Sequence, residues 1–180
     1  MQELSYILKL RNALKEEYRH MPIFQNGSAI IVVNDKNQIL LQERVDRDLW
    51  CIPGGLQELG ETFEDVAIRE LKEETGLTTN KEHLVLIGVV SGESRKNSYP
   101  NGDQVYNNTV LYATWNYYGT FNTDYKELVD NGHEFFVQNE SKQLKFFSLE
   151  ELPINLMDID LILRFKEYMQ NKDLAKKDNS

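Results

Sequence analysis

A chain of 180 residues with 41 % hydrophobic and 27 % charged content has the composition of one ordinary globular domain, long enough to bury a real core. Its formal net charge of −9 speaks against a broad electrostatic footprint for DNA or RNA, so an anionic substrate would have to be met by local cations. The single Cys51 excludes an internal disulfide, no signal-peptide pattern opens the chain and no apolar run approaches the length of a membrane span; a cytoplasmic protein without nucleic-acid or membrane partners is expected.

Residues 3–19 (ELSYILKLRNALKEEYR) read as an amphipathic helix. Leu4, Ile7, Leu8, Leu14 and Tyr18 share one stripe, which Arg11 interrupts. Such a helix packs on its own domain or against a second copy in a homodimer. Pro22 discourages its continuation. The apolar run Ser28–Val33 suits a buried strand, Asn34–Asn37 carries turn chemistry, and Gln38–Glu43 returns as a second strand, so a hairpin is expected. Arg44 and Arg47 follow, as surface arginines or as contacts for an anionic substrate. Trp50, Pro53, Gly54 and Gly55 then lead into the next segment. Cys51, with no His or Asp beside it in sequence, reads as a small buried residue.

The segment 55–77, GLQELGETFEDVAIRELKEETGL, organises the rest. Thr62 is a natural N-cap, Asp65 completes a capping box, and Gly76 suits the left-handed turn after a helix; these signals predict a helix over 63–75. At about 100° per residue, Glu70 and Glu74 fall on the face of Phe63, Val66 and Ala67, with Glu73 at its edge. Like charges four residues apart repel, and a carboxylate on a partly buried face must be paired or bound to a cation. Arg69 can reach Glu73, but one arginine cannot neutralise three glutamates. Hard oxygen donors suit Mg²⁺ or Mn²⁺. The plainer alternative is a solvated acidic helix.

Gly55, Glu61, Arg69, Glu70, Leu71, Glu73, Glu74, Gly76 and Leu77 stand at the spacing of the Nudix box, and the sequence resembles the Nudix hydrolase family over roughly residues 25–153. The alternation of strands and helices suits an α/β/α sandwich. The resemblance sharpens this to the Nudix fold, a mixed β-sheet between helices. The expected organisation is an N-terminal helix and lead-in over 1–24, a Nudix hydrolase domain over 25–157, and a C-terminal helix and tail of the same domain over 158–180. The implied activity is Mg²⁺-dependent hydrolysis of the diphosphate linkage of a nucleoside diphosphate derivative, by attack of water on phosphorus. The substrate class includes nucleotide sugars such as ADP-ribose and nucleoside triphosphates. By residue match Glu70, Glu73, Glu74 and the Gly55 carbonyl are the metal ligands, with Glu70 the first choice of general base. Arg69 would orient the glutamates and Glu61 support them. The other classes on this fold are a silent nucleotide-binding sensor, which would normally lack a box glutamate, and an isomerase needing a catalytic cysteine.

Downstream, 78–82 reads as a polar linker and 83–90 as a strand. His20, His83 and His133 show no metal spacing and read as structural or surface residues. Residues 91–108 form a long polar stretch expected to be a loop, turning at Pro100–Asp103, with Tyr99 and Tyr106 placed to sandwich a base or to pack a hairpin. A strand is expected over 109–117. Extra residues follow near 124–138, then a last strand over 143–148. Relatives recruit a glutamate outside the box as an extra ligand or base, which makes Glu140 the candidate, with Glu134 and Glu127 behind it. A closing helix over 159–169 and a frayed tail complete the expectation.

Overall fold

The computed structural model describes residues 6–44, 48–99, 101–122 and 141–177. Helix α1 (Tyr6–Ala13) and a 3-10 turn (Glu16–Tyr18) precede strand β1 (Ile23–Val32). Then come β2 (Ile39–Arg44), β3 (Trp50–Cys51), β4 (Gly54–Leu56), helix α2 (Phe63–Thr75) and β5 (Leu77–Thr78). The second half holds β6 (Val85–Val90), β7 (Lys96–Ser98), β8 (Gln104–Thr114), β9 (Tyr118–Gly119), β10 (Ser141–Phe147) and helix α3 (Ile159–Lys177).

The main sheet runs β4-β1-β8-β6, with β7 also on β8. Its central pair, β1 and β8, is parallel and in register from Ile23 opposite Val105 to Val32 opposite Thr114, while the other pairs are antiparallel. The sheet is therefore mixed. A second sheet runs β10-β2-β3, and β5 pairs with β9. Alternation along β1 splits the core in two. Ile31 packs with Leu111, Ala113 and the α3 residues Leu161, Ile162 and Phe165. Its neighbours Ile30 and Val32 pack with Val110, Tyr112 and the α2 residues Ala67 and Leu71. The two helices cover opposite faces, which is the expected α/β/α sandwich.

Several local expectations are corrected. The hairpin of β1 with β2 exists only at its tip, where Asn34 and Gln38 bond across the turn and Val33 bridges Ile39. Beyond it the strands enter different sheets, because β1 already has β4 and β8 on its two edges and has none left for β2. Strand β1 begins earlier than the apolar run, since Ile23–Asn26 pair through their backbones with Val105–Asn108. The stretch 91–108 is not a loop: after a 3-10 turn at Glu93–Arg95 it forms β7 and the start of β8, closed by the Tyr99 amide donating to the Asp103 carbonyl at 2.8 Å. The first helix is shorter than expected, with Lys15 in an extended conformation. The strand expected over 109–117 ends at Thr114, and the closing helix runs on to Lys177 where a frayed tail was expected.

Arg11, the residue that spoils the apolar stripe of α1, explains its docking. It is only 5 % exposed. Its Nη1 donates to the carbonyls of Arg19 and Met21, its Nη2 to that of Gln104, and its Nε lies 3.3 Å from Asp103. His20 Nδ1 meets the other Asp103 oxygen at 2.8 Å. Asp103, at the end of the turn that leads into β8, thus anchors the N-terminal helix.

Candidate active site

The box helix is α2, with both ends as its sequence dictates. Thr62 accepts from the Asp65 amide while the Asp65 carboxylate accepts from the Thr62 amide, and Gly76 closes the helix at φ 78°. Val66, Ala67 and Leu71 are fully buried against the sheet. That seating turns the acidic residues toward β4.

Arg69 gathers three of them. Its Nε and Nη2 bind the two oxygens of Glu61 at 2.7 and 3.0 Å, a bidentate pair. Its Nη1 reaches Glu70 at 2.7 Å and Glu73 at 3.2 Å, and Nη2 also donates to the Leu56 carbonyl at 3.0 Å. The hydrogen bond from Arg69 holds the Glu61 carboxyl below its ordinary range. Glu73 is largely exposed, whereas the Glu74 side chain is 5 % exposed. Glu74 Oε2 accepts from the Gly54 amide at 2.8 Å, and its Oε1 lies 3.9 Å from Arg44. Glu70 fits against the chain at Gly55, where a Cβ would collide with its carboxylate.

Among the described residues, no group of three acidic, imidazole or thiol side chains is arranged to hold a metal ion. Arg69 is what assembles Glu61, Glu70 and Glu73. The donors next to β4 are nonetheless carboxylates and backbone carbonyls, chemistry that fits a hard divalent cation and not a soft one. Cys51 is buried, and that burial pushes its thiol far above the usual range, with the Glu74 charge adding to it. Its burial denies it the exposed, activated setting that a nucleophilic thiol requires.

A cavity of about 170 Å³ opens beside Gly54 and Gly55, lined also by Arg44, Arg95 and Asp158. A second, of about 510 Å³, shares Arg44, Arg95, Asn107, Met157 and Asp158 and extends to Tyr99 and Asp160. Arg44 thus stands beside Glu74 and on the wall of both cavities. Tyr99 lines the larger cavity. Tyr106 does not join it: its ring packs 5.8 Å from Phe24, its hydroxyl meets Glu93 at 3.2 Å, and residues 106 and 107 point to opposite faces of β8. The two tyrosines do not sandwich a common space. Arg47, Glu140, Glu134 and Glu127, with the extra segment near 124–138 and His133, lie outside the described residues. His20 and His83 bond to Asp103 and Asn116, as structural residues would.

One cluster had no signal in the sequence. Arg95 Nη1 binds Asp158 and Asp160, both at 3.1 Å, and its Nη2 donates to Thr109 at 3.1 Å. Asp158 has a left-handed backbone at φ 51°, and burial raises its carboxyl above the ordinary range against the pull of Arg95. Within G-E-S-R-K, Arg95 looks like any surface residue, and its two aspartate partners lie more than sixty positions away.

The NUDIX domain model matches residues 24–165. A putative 8-oxo-dGTP diphosphatase of Bacillus subtilis is 46 % identical over 54 residues, 30 % of this chain and 36 % of the relative, so the match spans about a third of that protein's length. An ADP-ribose pyrophosphatase of Methanocaldococcus jannaschii is 29 % identical over 171 residues, covering 93 % of this chain and 85 % of the relative. A MutT NUDIX hydrolase from Burkholderia pseudomallei superposes with a TM-score of 0.58 at 22 % identity, covering 78 % of this chain and 97 % of the other, a likeness of fold. No helix among the described residues is long and apolar enough to cross a membrane.

Proposed function

Because the chain belongs to the NUDIX family, we propose that it is a divalent-metal-dependent pyrophosphohydrolase that cleaves the diphosphate linkage of a nucleoside diphosphate derivative by water attack on phosphorus. The observation that carries the reading is the ordered acidic cluster on α2: Glu70 and Glu74 face β4 under two glycines, and Arg69 orders Glu61, Glu70 and Glu73 around itself. A nucleotide-binding module without catalysis has no need of all three box glutamates. The near full-length similarity to an ADP-ribose pyrophosphatase favours a nucleotide sugar over a nucleoside triphosphate.

Glu70, Glu73, Glu74 and the Gly55 carbonyl would hold Mg²⁺, with Mn²⁺ as substitute. When bound, such an ion neutralises diphosphate charge and lowers the pKa of water. Glu70, oriented by Arg69, takes the proton from the attacking water. Arg69 and Glu61 keep the carboxylates at fixed positions. Arg44, beside Glu74 and on the cavity wall, receives a phosphate oxygen of the substrate. Since phosphoryl transfer depends mainly on positioning and charge stabilisation, the rigidity of this cluster is its catalytic asset.

The test is nucleotide and phosphate release from a panel of nucleoside diphosphate derivatives, with Mg²⁺ and with EDTA. One substrate turned over far better than the rest, with activity lost in EDTA, is expected. Absence of turnover with either Mg²⁺ or Mn²⁺ would transfer the weight to a binding module.

A further inference from the structure

The larger cavity carries a charge pattern that the diphosphate chemistry does not use. Arg95 spends its Nη1 on two aspartates and its Nη2 on Thr109, yet its Nε is buried without a hydrogen-bond partner. Asp160 binds Arg95 and the Leu161 amide through Oδ1, and its Oδ2 is likewise buried without a partner. An orphan donor and an orphan acceptor on two paired residues of one wall are costly to leave unmade. A hydroxyl group is the chemistry that suits both, since it accepts from an N–H and donates to a carboxylate. A phosphate satisfies only the donor and is repelled by the aspartates. The wall begins next to Gly54, Gly55 and Arg44 and ends at Asp160 and Tyr99, so a group lodged there is attached to the far side of a diphosphate bound at the glutamates.

We propose that Arg95 and Asp160, braced by Asp158 and Thr109, form a specificity site for a polyhydroxylated group, a sugar, on the distal phosphate of the substrate. The proposal rests on the hydrolase reading only for where the diphosphate lies. The site is assembled from three elements: the 3-10 turn before β7, the face of β8 that carries Asn107 and Thr109, and the start of α3. Asp158 holds it together from the left-handed conformation at the head of α3, its carbonyl accepting from the Leu161 and Ile162 amides. Tyr99 at the rim offers a ring on which the apolar face of a sugar can rest.

The experiment compares binding of ADP-ribose with binding of ADP by calorimetry, in Ca²⁺ to hold back hydrolysis, for the wild type, Asp160→Asn and Arg95→Lys. The two ligands share adenosine and diphosphate, and ADP-ribose carries the distal ribose where ADP has a terminal phosphate oxygen. The wild type is expected to bind ADP-ribose at least tenfold more tightly than ADP. Each variant is expected to lose most of that ratio while keeping its affinity for ADP. Equal affinities in the wild type would overturn the proposal. So would variants that weaken both ligands alike, since that marks a structural brace only. Thermal melts exclude loss of fold, and Arg95→Lys keeps the charge should Asp160→Asn prove unstable. If the wild type shows the ratio yet hydrolyses nothing in Mg²⁺, the sugar site stands and the hydrolase reading falls.

Discussion

The carboxylate of Glu70 occupies the space that a side chain at Gly55 would need. Strand β4 and helix α2 therefore approach each other only because residue 55 is glycine. In Gly55→Ala the added methyl must displace Glu70 or push β4 from β1. A displacement of about 1 Å at a reacting group costs on the order of 100-fold in rate, and kcat/KM on the preferred substrate should fall by that much, while overpacking costs about 1–3 kcal/mol in stability. Activity near the wild-type level would show that Glu70 is not held where it acts.

Arg69 makes five hydrogen bonds to Glu61, Glu70, Glu73 and the Leu56 carbonyl. Lysine keeps the charge but cannot reproduce the bidentate grip on Glu61. Arg69→Lys should reduce kcat by about 10- to 100-fold, as removal of residues that orient metal ligands does, with a smaller change in melting temperature. A kcat equal to the wild type would reduce Arg69 to a surface residue.

Glu74 is the most buried of the box glutamates. Glutamine at 74 can still accept from the Gly54 amide, so the fold survives while the charge is lost. Turnover should fall by about 100-fold or more, with more Mg²⁺ needed for half-maximal rate. An unchanged Mg²⁺ dependence would remove Glu74 from the metal set.

Acid should loosen the box helix first. The Arg69 hydrogen bond lowers the Glu61 carboxyl below its ordinary 4.5, and Lys81 with Thr62 brings Asp65 down to about 2. A carboxyl depressed in the folded state adds stability that is present above its unfolded pKa and is lost as pH falls through the folded value. The melting temperature should decline as pH drops from about 4.5 toward 2, more shallowly in Glu61→Gln and Asp65→Asn. Identical slopes in wild type and variants would assign acid loss to other groups.

Arg11 and Asp103 form a buried pair, with side chains 7 % and 11 % exposed. Removing one partner of such a pair costs about 3–5 kcal/mol. Arg11→Ala should lower the denaturant midpoint accordingly, and Arg11→Ala with Asp103→Ala should recover part of the loss. A cost below about 1 kcal/mol, the range of surface pairs, would mean that the N-terminal helix is not fastened there.

The box helix was legible because its determinants are local. Thr62, Asp65 and Gly76 define its ends within fifteen residues, and the 3.6-residue repeat assigns Glu70 and Glu74 to the inner face. The boundaries of β1, β7 and β8 were not. Gln25, Asn26 and Asn107 show no apolar pattern, because they enter the sheet through backbone pairing, which any side chain permits. The hairpin signal at Asn34–Asn37 was real as a turn and misleading as a sheet, since the partners of a strand depend on which of its edges remain open.

What the sequence determined by itself is the acidic helix, its caps and the glycine that admits it. Each depends on residues close enough to act through local backbone geometry. What only the tertiary structure decided is the parallel pairing of β1 with β8, the anchoring of Arg11 on Asp103, and the wall of Arg95, Asp158 and Asp160. Those contacts join residues some sixty to ninety positions apart, and ion pairs at that separation have no periodicity to reveal them. They form only because burying the two apolar faces of the sheet under α2 and α3 brings their elements together.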